Sequence, residues 1–201
     1  MGFFSKFFET EKVVDSNTLQ NRGRNGSEQY FEPNQSKPFN GKEIEQYENG
    51  QNKFEHTYED GRKNGLSTWW HKNGNIKIQK NYWRGFVHQE INYEDGLKNG
   101  KTTTWRDTED NSNISSIETF KDGQQHGLST YFYYNETNSI RKETNYYHGK
   151  LHGLFTEYYE NGKKSRENTY KYGKSDGSFS EWEENGKLKY AIYYENGKKI
   201  K

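Results

Sequence analysis

The chain has 201 residues, with thirty Lys and Arg against twenty-nine Asp and Glu, a balance that leaves no global field to gather nucleic acid or anionic lipid. It has no cysteine, which excludes disulfides and thiolate metal sites. Only 27% of residues are hydrophobic, yet seventeen Tyr, twelve Phe and five Trp are more aromatic surface than a disordered chain carries, so a thin sheet held by cross-strand pairs is expected in place of a thick core.

The N-terminal stretch from Met1 to Val14 places Phe3 over Phe7 and Phe4 over Phe8, which predicts a short amphipathic helix over Gly2–Val14. Such a helix is expected to cap the first repeat; the alternative is that Phe3, Phe4, Phe7 and Phe8 anchor the chain to a membrane surface or to a partner. Asp15 to Pro38 is polar and holds both prolines, Pro33 and Pro38, the composition of a linker. Residues 1–39 thus form an N-terminal amphipathic segment and polar linker, and residues 40–201 form the second unit. No apolar run approaches the roughly 20 residues that span a bilayer, and Met1 to Phe8 lacks a secretory pattern. The expected location is cytoplasmic, with peripheral membrane attachment as the alternative.

From Asn40 the chain repeats itself. The frame is an aromatic, a glycine three residues on, a second glycine four beyond that, an aromatic five further, and then a turn-forming Asn-Gly. It is clearest at Tyr146, Gly149, Gly153, Tyr158 and Gly162, and returns at Tyr58, Gly61, Gly65, Trp70 and Gly74 and at Tyr170, Gly173, Gly177, Trp182 and Gly186. Glycines are spaced alternately by eleven and thirteen residues, a period of twenty-four. That period marks a stacked array in which no unit buries its apolar face alone.

Arms this short are strands, and side chains two apart share a face. Leu66, Thr68 and Trp70 align in one arm, and Leu154, Thr156 and Tyr158 in another. Trp70, Trp105, Phe132, Tyr158 and Trp182 all lie five residues after the second glycine of their arms, so they are expected in a row along one face of the sheet. Gly61, Gly65, Gly123, Gly127, Gly149, Gly153, Gly173 and Gly177 are expected to supply positive φ at turns.

Two faults interrupt the array. Gly85 to Gly96 is an eleven-residue arm directly after another, Gly74 to Gly85, with Gln89 where a glycine belongs, so one thirteen-residue arm is missing. In an antiparallel meander this should exchange the edges on which the two turn types lie. Farther on, Asp107 to Asn113 replaces an Asn-Gly turn by an acidic loop.

Y-H-G-K-L-H-G-L at Tyr147 to Leu154, F-K-D-G-Q-Q-H-G-L at Phe120 to Leu128 and Y-E-D-G-R-K-N-G-L at Tyr58 to Leu66 resemble the MORN repeat family, in the variant found in bacterial YwqK-type antitoxins. The resemblance covers roughly residues 40 to 201. It implies an all-β fold, an elongated single-layer antiparallel sheet of stacked β-hairpins, used for protein contacts and in some members linked to membranes. The antitoxin label implies a toxin as partner.

No residues carry a catalytic signature. His148 and His152 with Glu157 have the numbers for a metal site, but both histidines sit in a glycine-flanked turn, so repeat chemistry explains them and no metal is expected. Asp107, Glu109, Asn111 and Glu118 fit positions of a calcium loop, yet Ser112 stands where its turn glycine belongs, and a solvated acidic loop is the reading. There is no Ser in a nucleophile elbow and no phosphate-binding loop. Lys163, Lys164, Arg166, Lys171 and Lys174 with Tyr170 and Tyr172 could track a single strand of nucleic acid, but pairing with Glu157, Glu160 and Glu167 across strands accounts for them. The expectation is a non-enzymatic protein-binding repeat module without cofactor, possessing an aromatic sheet face as its contact surface; the alternative is a membrane-associated scaffold held by the Phe-rich N-terminus.

Overall fold

A computed structural model describes residues 11–23, 28–106 and 112–200. The described residues form strands and turns only. Ahead of the array lie β1 (Val13–Asp15), β2 (Gln20–Asn21) and β3 (Tyr30–Phe31). The first repeats give β4 (Gly41–Gln46), β5 (Asn52–Glu59), β6 (Arg62–Lys63), β7 (Gly65–Trp70) and β8 (Ile76–Trp83). Next come β9 (Phe86–Glu94), β10 (Leu97–Trp105), β11 (Ile114–Lys121), β12 (Gln124–Gln125) and β13 (Gly127–Phe132). The array ends with β14 (Ile140–Tyr147), β15 (Lys150–Tyr158), β16 (Lys164–Lys171), β17 (Lys174–Trp182), β18 (Leu188–Glu195) and β19 (Lys198–Lys199).

From β4 to β19 successive arms pair antiparallel, with β6 and β7 both on β5 and β12 and β13 both on β11, giving one open sheet without crossovers. This is the single-layer meander of hairpins that the repeat predicts. Of the helix expected over Gly2–Val14, residues 2–10, with Phe3, Phe4, Phe7 and Phe8, lie outside the described residues. Val13 and Val14 do not continue it: both are β-branched, and β1 pairs parallel to β4 with Val14 beside Glu43.

The stretch read as a linker packs on the first repeat. Tyr30 donates its backbone N–H to the Gly61 carbonyl at 2.7 Å, and Gly61 donates to the Phe39 carbonyl at 2.8 Å. The Tyr30 and Phe39 rings meet the Tyr58 ring edge-on at 5.3 and 5.8 Å. Tyr58 is left 3% exposed, and its hydroxyl donates to the Glu43 carboxylate at 2.8 Å.

Elsewhere the best-buried side chains are small. Ser67, Ser129 and Thr144 are almost fully buried. The register explains why a sheet with no second layer can bury them: Ser129 faces Thr144, with Tyr131 and Lys142 as the neighbouring pair on one side and Gly127 and Tyr146 on the other. Thr144 also faces Phe155. Large rings two residues away on the same face overhang the small centre, and this makes a core only one side chain thick.

Candidate functional site

The functional geometry begins with two turn types. Asp60-Gly61, Arg84-Gly85, Asp95-Gly96, Asp122-Gly123, His148-Gly149, Tyr172-Gly173 and Asn196-Gly197 have positive φ at both residues, the two-residue turn whose twist suits a hairpin. The glycine amide then ties the turn to the preceding hairpin, Gly149 to the Gln125 carbonyl at 2.9 Å and Gly173 to the Leu151 carbonyl at 2.7 Å. At the other turn type, Asn49, Asn73, Asn161 and Asn185 each accept from the backbone N–H two residues on.

Gly65, Gly127, Gly153 and Gly177 also have positive φ, but they do not sit in turns. They mark bulges inside strands. Between Thr144 and Tyr146 the β14 strand spends one residue while β15 spends three, and Asn145 fills the gap by donating its side-chain amide to the Leu154 carbonyl at 3.0 Å.

The missing arm does more than exchange turn edges. Successive registers join Lys80, Glu90, Thr103, Ile117, Thr130, Glu143, Thr156, Glu167, Ser180 and Ala191 into one transverse row, which defines the first face. Tyr82 lies on that face by alternation from Lys80, and so does Tyr58, because Phe54 pairs with Trp69 and Ser67 with Lys80. Their equivalents Phe120, Tyr146, Tyr170 and Tyr194 stand three residues from the row and occupy the second face. A meander that omits one strand continues in the same direction with every motif upside down, and the rotation that restores it turns the sheet over. The aromatic-rich face therefore changes sides at β9.

This corrects the expected aromatic row. Trp105, Phe132, Tyr158 and Trp182 share the first face, each two residues from a row member, whereas Trp70 lies next to Trp69 and falls on the second face. All five are half-buried. Tyr158 donates its hydroxyl to Glu143 at 2.8 Å, and burial with that neighbouring carboxylate pushes its pKa up to about 12. Lys164 holds its ammonium 5.9 Å from the Trp182 ring.

On the second face of the C-terminal half the aromatics touch. Phe155 meets Tyr170 at 6.0 Å, and Phe179 meets Tyr190 at 6.0 Å and Tyr194 at 6.3 Å. Lys142 stands 4.0 Å over Tyr131. Arg166 reaches Glu157 at 3.4 Å, one of the cross-strand pairings expected, and also Glu181 at 3.3 Å, which was not among them.

The histidines form a ring cluster. His126, Tyr147, His148, His152 and Tyr172 lie with neighbouring centroids 4.4 to 6.0 Å apart. Among the described residues no group of three or more His, Cys, Asp or Glu is placed to hold a metal ion. Asp107, Glu109 and Asn111 lie outside the described residues. Among those described, no helix is long and apolar enough to cross a membrane.

An open sheet of hairpins tied turn to strand across a 24-residue period is a β-hairpin repeat protein. Three of its segments, residues 63–84, 151–172 and 175–196, match the family model described as a MORN repeat variant. Each match runs from the strand after one two-residue turn to the first turn residue of the next, Arg84, Tyr172 or Asn196. The stretch between the first two matches holds the missing arm and the acidic loop. No curated protein matches the chain.

Proposed function

We propose that this chain is a non-enzymatic protein-binding repeat module that takes its partner on the second face of its C-terminal half, where Tyr131, Tyr146, Phe155, Tyr170, Phe179 and Tyr190 stand. One observation carries this reading: the aromatic-rich face is covered by Tyr30 and Phe39 at Tyr58, while no second layer covers its continuation among the described residues of β13 to β18. Tyr and Phe offer large contact area for little loss of side-chain freedom. The resemblance to YwqK-type antitoxins nominates a toxin as the first partner to try.

The test is a pull-down from native lysate with wild-type protein and a Phe179→Ser, Tyr190→Ser double variant, read by mass spectrometry. A partner captured by the wild type and lost from the variant, at matched circular dichroism, supports the reading. Identical capture by both proteins counts against it.

A further inference from the structure

The molecule carries its own example of a ligand on its aromatic face. Residues 28–40 loop over the first two-residue turn: Tyr30 and Phe31 are extended as β3, the chain turns at Pro33-Asn34, and the Phe39 N–H returns to the Tyr30 carbonyl at 2.9 Å. Gln29 donates its side-chain amide to the Asp60 carbonyl at 2.9 Å, and Tyr30 donates its backbone N–H to the Gly61 carbonyl at 2.7 Å. The Tyr30 ring then closes on Tyr58. The approach is so close that a Cβ on Gly61 would lie 2.7 Å from both the Tyr30 carbonyl oxygen and Gln29 Cγ.

His148-Gly149 and Tyr172-Gly173 repeat that turn, with φ of 49° and 74° in one and 49° and 86° in the other, against 49° and 70° at Asp60-Gly61. Tyr146 and Tyr170 stand where Tyr58 stands. Here the space is open: among the described residues a Cβ on Gly149 or Gly173 would have no neighbour within 4 Å. Among the described residues no backbone N–H from outside the strand ladder reaches the carbonyl of either glycine. Tyr146 and Tyr170 are only half-buried, whereas Tyr58 is covered.

We infer that Tyr146-Gly149 and Tyr170-Gly173 form a docking site for an extended polypeptide segment of a partner protein that carries a Gln-Tyr-like pair. Its backbone N–H would bond the turn-glycine carbonyl, its amide side chain the carbonyl before it, and its aromatic ring would lie edge-on to Tyr146 or Tyr170. The inference rests on the reading of the aromatic face as a protein-binding surface and names what that surface recognises. The conformation of the bound segment is that of residues 29–31, an extended strand crossing a turn. Because two such sites are 24 residues apart in adjoining repeats, a partner with two segments would gain by binding both.

The probe is a synthetic peptide of residues 28–40, titrated into the isotope-labelled full chain and followed by amide chemical shifts. Saturable shifts at Tyr146, Gly149, Tyr170 and Gly173, weakened at least tenfold when the peptide carries Tyr30→Ala, support the inference. Shifts confined to Tyr58 and Gly61, where the chain's own segment would be exchanging, overturn it, as does an unweakened Tyr30→Ala peptide. A Gly149→Asn, Gly173→Asn variant provides the second measurement, since Asn tolerates positive φ and its side chain fills the open space. Peptide binding should fall at least tenfold with the circular dichroism spectrum unchanged; unchanged binding overturns the inference. Failure of the peptide while the Phe179→Ser, Tyr190→Ser variant still loses its lysate partner overturns this inference alone and leaves the broader reading standing.

Discussion

Tyr159 donates its hydroxyl to the main-chain carbonyl of Trp182, 23 residues further on, at 2.7 Å. The same bond runs from Tyr47 to Trp70 at 2.8 Å and from Tyr133 to Tyr158 at 2.7 Å. Each clamps the end of one hairpin to the next, at the edge where the strand ladder has already stopped. In a one-dimensional stack, stability resides in such interfaces between neighbours.

Removing one clamp should therefore be felt without disturbing the repeat that carries it. Tyr159→Phe keeps the ring and deletes the donor, leaving the Trp182 carbonyl to water, at a cost of about 1 kcal/mol. The thermal midpoint should drop by about 2–4 °C. Tyr47→Phe, far along the stack, should add independently. A double variant no less stable than either single one would show that these hydroxyls do not hold repeats together.

The two-residue turns allow a comparison inside one molecule. Gly61 and Gly149 share the same backbone, so alanine at either pays the left-handed strain of about 1 kcal/mol. Only at Gly61 does a Cβ meet main chain, 2.7 Å from the Tyr30 carbonyl oxygen. Gly61→Ala should lose clearly more stability than Gly149→Ala in denaturant titration and should expose Tyr58. Equal losses would place the N-terminal segment elsewhere. In the bulge, where Gly153 has φ 93°, a β-branched residue is poorly tolerated, and Gly153→Val should cost more than about 1 kcal/mol.

His56 makes stability depend on pH. Its ring stacks on Phe54 at 4.4 Å and meets Trp69 at 4.8 Å, and among the described residues Nδ1 has no hydrogen-bond partner. Burial, then the charge of Lys63, pushes its pKa from 6.5 down to about 3. Between those values the unfolded chain binds a proton that the folded chain does not. The neutral ring's full stability is thus present above pH 6.5 and is lost as pH falls, by up to about 1.4 kcal/mol per unit. Carboxylates titrate in the same range, so the measurement is the difference from His56→Phe, whose stability should fall less between pH 6.5 and 4.5. Parallel curves for the two proteins would mean that His56 is protonated in the fold.

The spacing of glycines made the sheet, the strand lengths and the exchange of edges legible, because both turn types and the bulge need positive φ and so mark themselves in sequence. The five-residue aromatic row failed at Trp70 since the change of face was not followed through. The signal was present in the two arms, β9 and β10, that separate Tyr82 from Phe120 where the regular repeat has one. Tyr30 and Phe39 were not recognisable as a cover for Tyr58, for a polar stretch with two prolines has the composition of a linker and its contacts are set by distant partners. Ser67, Ser129 and Thr144 escaped because small hydroxyls announce no core; their burial comes from rings two positions away.

Trp105 and Trp182 decide whether the first-face row is structure or contact surface. Both are half-buried, and the Trp182 carbonyl and ring are each engaged, by Tyr159 and by Lys164. The four members on this face point away from the aromatic contacts of the second face, with the sheet backbone between them, so their loss should act on stability and leave the binding surface whole. Trp182→Ser removes a large ring that is only partly out of water, for which a loss of about 1–3 kcal/mol is the expected scale. Trp105→Ser should behave alike. In thermal melts both variants should lose several degrees, while their capture of the partner that the Phe179→Ser, Tyr190→Ser variant loses should match wild type below the midpoint. Unchanged melting with abolished capture would reverse the assignment, making the row of Trp105, Phe132, Tyr158 and Trp182 the surface that meets the partner and leaving the second face as thin core alone.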